Sequence, residues 1–139
     1  MNAFFDSSAL AKRYIEEKGS DQVQAILSSA SSLAVSMICV PEIISALCRR
    51  RRERKLSTEE HRNANGSLLS DIDDATVIGI TEEVIARAVA LLEQFPLRRA
   101  DALHVACASE WSTEVFVSAD DRQCRAARAH GLRVEAIRV

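Results

Sequence analysis

A short apolar run, Ala3-Phe4-Phe5, meets an acid at Asp6 and then a helical run that opens with Ser7-Ser8. The same order, a brief buried run followed by a helix, recurs down the chain. Short strands are expected at 3–5, 33–36, 76–80, 115–117 and 133–137. Between them, apolar residues at helical spacing predict helices over 7–17, 21–29, 41 to about 54, 57–72, 81–95, 100–111 and 122–130. Ser57-Thr-Glu-Glu60 is a capping box, Thr81 caps the next helix, Pro96 ends it and Gly131 closes the last. Strands that alternate with helices pair in parallel and are covered on both faces, so the expectation is a three-layer α/β fold. The 139 residues carry no repeat or linker and suit one domain over 1–139.

Hydrophobic residues make up 47% and charged residues 27%, a globular balance. The net charge of -2 argues against a generally basic nucleic-acid binder, yet it hides a split. Arg49, Arg50, Arg51, Arg52, Arg54 and Lys55 surround a single acid, Glu53, while the rest of the chain holds 12 basic and 19 acidic residues. This run suits RNA phosphates or an acidic partner. Cys39, Cys48, Cys107 and Cys124 form no C-x-x-C pair and read as reduced, buried thiols. The start lacks a basic leader, and the longest apolar stretch, 33–48, is interrupted by Pro41 and Glu42. It falls short of the roughly 20 residues a membrane helix needs, so a soluble cytoplasmic protein is expected.

Asp6 needs a reason, because an ionised carboxylate between a buried strand and a helix is costly unless paired, capped or bound to metal. Asp120 occupies the same kind of junction after the fourth strand, and Glu42 and Asp101 each stand near a helix start. Any one of these acids could simply cap its helix. As a set they could converge at the carboxyl edge of the sheet, where such folds bind ligands. Clustered carboxylates select hard cations, Mg²⁺ or Mn²⁺. Two such ions roughly 4 Å apart support phosphodiester hydrolysis. His61, His104 and His130 stand singly and read as core or surface side chains rather than bases or ligands. No Gly-rich phosphate loop is present.

Four segments carry a resemblance: Phe-Phe-Asp-Ser-Ser-Ala-Leu-Ala-Lys at 4–12, Val-Pro-Glu-Ile at 40–43, Arg-Ala-Asp-Ala-Leu-His-Val-Ala at 99–106, and Phe-Val-Ser-Ala-Asp-Asp-Arg at 116–122 with Gly131-Leu132 beyond. Together they resemble a PIN domain, and more narrowly the VapC-type toxin ribonucleases of bacterial toxin–antitoxin pairs. The resemblance implies a five-stranded parallel sheet of order 3-2-1-4-5 and Mg²⁺- or Mn²⁺-dependent endoribonuclease activity. It implies an acidic site at Asp6, Glu42, Asp101 and Asp120, with Asp6, Asp101 and Asp120 as metal ligands. Ser8 and Ser118 match its hydroxyl positions, and Asp121 is an extra acid that could cap the last helix or assist the site. A homodimer and a cognate antitoxin are also implied.

The alternative from another class is a non-catalytic PIN-like module that binds RNA or protein. A phosphoacceptor receiver domain is excluded. It wants an acid at the end of the third strand, which here reads Ile-Gly-Ile-Thr, and a lysine after the fifth, where none follows.

Overall fold

The computed structural model describes residues Met1–Val139. Its strands are β1 (Asn2–Phe5), β2 (Ser32–Ser36), β3 (Thr76–Ile78), β4 (Val115–Ser118) and β5 (Val134–Ala136). All neighbours pair in parallel, in the order β3-β2-β1-β4-β5. The helices are α1 (Ser7–Leu10), α2 (Ser20–Ser29), α3 (Cys39–Arg52), α4 (Thr58–Asp73), α5 (Glu82–Gln94), α6 (Arg99–Trp111) and α7 (Asp121–Ala129).

Successive strand residues face opposite sides, and this alternation divides the core in two. Phe5, Val35 and Val117 pack against Leu10, Val23, Ile43, Leu47 and Leu68, so α1 to α4 cover one face. Phe4, Ala34 and Phe116 pack against Val84, Leu91, Ala102, Val105 and Ala126, so α5 to α7 cover the other. Phe4 and Phe116 are register partners on β1 and β4, and their rings stack with centroids 5.8 Å apart. The three layers and the strand order are those expected.

Several boundaries differ from expectation for physical reasons. The first helix does not run to residue 17. It stops at Leu10 and tightens into a 3-10 turn over Ala11–Arg13. Arg13 and Tyr14 then reach across to α4. Arg13 Nε and Tyr14 Oη each donate to Asp71 Oδ2 at 2.6 Å. The turn into α2 depends on Gly19, at φ +97°, where a Cβ would lie 2.6 Å from Ile137 Cγ2. Helix α3 begins at Cys39, which places Pro41 inside the first turn, where its missing N–H costs no hydrogen bond.

Helix α5 buries Val84, Ala88 and Leu91 but leaves Ile85, Val89 and Leu92 exposed by 47%, 49% and 38%. It lies on the outside of α6, so only one of its apolar rows finds a partner. All four cysteines are free, and burial pushes the Cys39 thiol up to about 12. No helix is long and apolar enough to cross a membrane.

The Asp71 contacts allow a pH test. Burial raises the Asp71 carboxyl, but the bonds from Arg13 and Tyr14 outweigh it and hold the group below its ordinary 3.8. A carboxyl depressed by folding stabilises the fold above its ordinary value, and that contribution is lost as pH falls through the lowered one. We expect Asp71→Asn to cost about 1 kcal/mol at neutral pH, a modest figure because the pair is partly exposed. Urea titrations should show the gap closing as the pH falls below 3.8. A gap of constant size across that range would rule this linkage out.

Candidate active site

The β1–β4 register sets the site. Phe5 pairs with Val117, and the Asp6 N–H donates to Val117 O at 3.1 Å. Asp6 and Ser118 therefore leave neighbouring strands at the same edge, and Ser118 Oγ donates to Asp6 Oδ2 at 2.7 Å. Ser8 Oγ lies 2.8 Å from both Asp6 oxygens, and the Ala9 N–H donates to Oδ1 at 2.9 Å. Asp6 itself, rather than Ser7, thus caps α1. It is fully buried, and its hydrogen-bond partners are two hydroxyls and one backbone N–H. Burial pushes its carboxyl above the ordinary range. The charge of His104 and the bonds from Ser118, Ala9 and Ser8 only partly oppose this.

The two serines also fasten the loop after β4. Ser118 Oγ accepts from the Asp120 N–H at 2.9 Å, and Ser8 Oγ from the Ala119 N–H at 3.0 Å. Asp120 caps α7 through Oδ1, which accepts from the Arg122 N–H at 2.9 Å. Asp101 is 4% exposed and stands in the first turn of α6. Its Oδ2 accepts from the Arg98 backbone N–H and from Arg98 Nε, each at 3.1 Å, and its Oδ1 accepts from Gln123 Nε2 at 3.0 Å. Arg98 Nη2 lies 3.7 Å from Asp120 Oδ2 and links the two acids.

Glu42, on α3, uses one oxygen for two partners. Its Oε1 accepts from Ser7 Oγ at 2.6 Å and meets His104 Nε2 at 2.6 Å. Burial pushes Glu42 up, but the bonds from His104 and Ser7 and the charges of His104 and Arg98 outweigh it, so the carboxyl sits below its ordinary 4.5. The four acids, drawn from distant parts of the chain, thus join one cluster at the carboxyl edge of the sheet. Asp6 and Asp120 cap α1 and α7, and Glu42 and Asp101 stand in the first turns of α3 and α6, so the capping reading holds for each.

The donor set fits a hard divalent cation. It is made of carboxylates and hydroxyls, and Glu42 Oε2 and Asp120 Oδ2 accept no hydrogen bond from the protein. No three His, Cys, Asp or Glu side chains stand close enough to cage an ion by themselves.

Other expected residues fall in different places. Asp121 is exposed and faces Arg125 at 3.7 Å, away from the cluster, and it does not cap α7. A groove of about 680 Å³ runs from Ser7, Ser8 and Glu42 to Arg49, Arg50 and Lys55. Glu42 and Arg49, seven residues apart, share one face of α3. Arg50 is tied to Glu17 at 2.8 Å, and Arg51 and Arg52 are exposed outside the groove lining.

Sequence reasoning missed Ser7, Arg98, His104 and Gln123. His104 is a core histidine as expected, 2% exposed, but its Nε2 bonds a site acid while its Nδ1 has no partner. Arg98, His104 and Gln123 each lie three residues from Asp101 or Asp120, one helical turn, which was the available signal.

The comparisons with known proteins agree with this geometry. The family model described as PIN domain matches residues 3–129. No curated protein matches the sequence. Among solved structures, FitAcB from Neisseria gonorrhoeae is 16% identical and superposes with a TM-score of 0.73 over 95% of each chain. VapBC2 from Rickettsia felis, bound to a DNA fragment from its promoter, is 15% identical with a TM-score of 0.70 over 98% of each. VapC20 from Mycobacterium tuberculosis, described as a sarcin-ricin loop cleaving toxin, is 17% identical with a TM-score of 0.69, covering 89% of this chain and 94% of its own. At such identities the likeness is one of fold, and the family model adds the sequence match over nearly the whole length. This chain belongs to the PIN domain family.

Proposed function

We propose that this PIN domain is a divalent-cation-dependent endoribonuclease, the toxin of a VapBC-like toxin–antitoxin pair. The observation that carries the reading is the convergence of Asp6, Glu42, Asp101 and Asp120 around a carboxylate that is fully buried. Burying Asp6 with two hydroxyls and one backbone N–H but no ion-pair partner costs stability, and cation binding gives that cost a use.

Asp6, Asp101 and Asp120 would hold Mg²⁺ or Mn²⁺, with Glu42 completing the shell or orienting the attacking water. The bound cation supplies Lewis-acid stabilisation of charge on the phosphate and acidifies the attacking water. In the hydrolysis, the water oxygen bonds phosphorus, one ester P–O bond breaks, and the leaving oxygen gains a proton. Ser8 and Ser118 hold Asp6 in one orientation, and Ser7 and His104 hold Glu42. Glu42, kept ionised, is placed to accept the proton of the water through its free Oε2. Arg49, at the far end of the groove, suits a substrate phosphate, and the other arginines of the run suit RNA or the antitoxin.

Solved toxin–antitoxin complexes of the same fold support a cognate antitoxin as partner. The uncovered row of Ile85, Val89 and Leu92 supports a homodimer. The rival, a non-catalytic binding module, has one observation behind it: the acids are not preassembled as a metal cage.

Cleavage, melting and binding measurements test this reading. Purified protein should cleave RNA with Mg²⁺ or Mn²⁺ and stop when the ion is chelated. Asp6→Asn and Asp101→Asn should each lower the cleavage rate by about a thousandfold or more with circular dichroism unchanged. Wild-type rates in either folded variant would sink the assignment. Without metal at neutral pH, Asp6→Asn should also melt a few degrees higher than wild type, because it removes a buried charge that its partners only partly offset, worth about 1 kcal/mol. Mn²⁺ should raise the wild-type melting temperature and leave that of Asp6→Asn nearly unchanged. Arg49→Ala should weaken RNA binding and reduce its log–log salt slope by about one unit.

A further inference from the structure

The one cation built into the acidic cleft is Arg98, and neither the fold nor the cap explains its side chain. Its backbone N–H alone satisfies the cap on Asp101, and any residue but proline would supply that bond. The side chain nevertheless leans over the cleft, 77% exposed, with Nε on Asp101 and Nη2 near Asp120. Its charge also bears on Glu42. The four N–H groups on its two Nη atoms donate to no protein acceptor. They form a fork open to solvent at the mouth of the site.

Lone-pair counting adds a second point. Asp101 Oδ2 accepts two N–H bonds, both from Arg98, and an oxygen of a carboxylate has about two such positions. A cation that took Oδ2 would displace Nε, and one that took Asp120 Oδ2 would repel Nη2. Arg98 and a divalent cation therefore compete for the same carboxylates. A guanidinium released from them stays tethered beside the cleft and has the geometry for an anionic phosphate, which it binds in a forked, two-point manner.

We propose that Arg98 is a substrate-contacting catalytic residue: it is the counter-cation of Asp101 and Asp120 in the metal-free protein, and it passes to a non-bridging oxygen of the scissile phosphodiester when a divalent cation takes those acids. This rests on the nuclease reading above. The role gives the site a way to limit like-charge repulsion before metal arrives and to add positive charge where the transition state gains negative charge.

The test uses full-length wild type, Arg98→Met and Arg98→Lys, with Mn²⁺ affinity measured by calorimetry, steady-state cleavage of a labelled RNA, and melting temperature. Arg98→Met should bind Mn²⁺ about threefold tighter or more, since a competing cation is gone. Its kcat should fall about 10²–10³-fold, with KM changed far less. Arg98→Lys should recover part of kcat, because it restores the charge without the fork. Melting temperatures should stay together. Unchanged or weaker Mn²⁺ binding in Arg98→Met overturns the proposal, as does an undiminished kcat. A joint loss of melting temperature, Mn²⁺ binding and kcat would mark a structural role and also overturn it. If wild type neither binds Mn²⁺ nor cleaves RNA, the nuclease reading falls and this one with it. If wild type does both and Arg98→Met matches it, only the role of Arg98 falls.

Discussion

The pairing of β1 with β4 is the interaction on which the rest of the molecule depends. These two central strands are far apart in sequence, and their parallel register is held by the stacked rings of Phe4 and Phe116 on one face and by Phe5 and Val117 in the core of the other. A slip of one residue would turn every side chain to the wrong face and empty both cores at once. Because the register is so strongly specified, the residues just past the strand ends, Asp6 and Ser118, are fixed relative to one another without any device of their own. The chain leaves β1 for β2 and β3 on one side and returns to β4 and β5 on the other, and the crevice of such a fold opens at that reversal.

Asp6 sits in that crevice at a cost that the fold has not removed. Replacing its hydroxyl partners with a basic side chain would have relieved the buried charge and filled the position proposed for a cation. Ser8 and Ser118 instead donate to the carboxylate and, with their own oxygens, accept the backbone N–H groups of Ala119 and Asp120. The same two hydroxyls therefore orient the acid and hold the loop that carries its partner. A site that stays electrostatically unsatisfied is a common trade of stability for function.

Arg98 and His104 stand beside the acids of the cleft in different ways. Arg98 reaches Asp101 with its side chain 77% exposed. His104 is buried, its Nε2 meets Glu42, and its other ring nitrogen is left without a partner. The four carboxylates differ in consequence. Asp6 is pushed toward its protonated form by burial, while Glu42 is held ionised by His104 and Ser7. Environments that drive neighbouring carboxyls apart are how one fold separates ligand from proton acceptor.

The alternation of apolar runs and helical periods in the sequence determined the three-layer fold, because strand and helix impose different periods that a single chain displays locally. It also marked Asp6, Glu42, Asp101 and Asp120, since an acid beside a buried run is conspicuous wherever the chain ends up. The strand order came from family resemblance, not from periodicity, which carries no information about neighbours. Tertiary structure alone decided that Asp121 faces solvent while Asp120 turns inward, because one residue of helix rotation separates them. It alone showed that α5 keeps one apolar row uncovered, that His104 bonds Glu42 and that Arg98 and Gln123 bond Asp101. Those assignments depend on which surfaces meet across 22 or more residues of sequence or across one turn of a helix. Local patterns record burial and period, whereas contact partners are settled by packing.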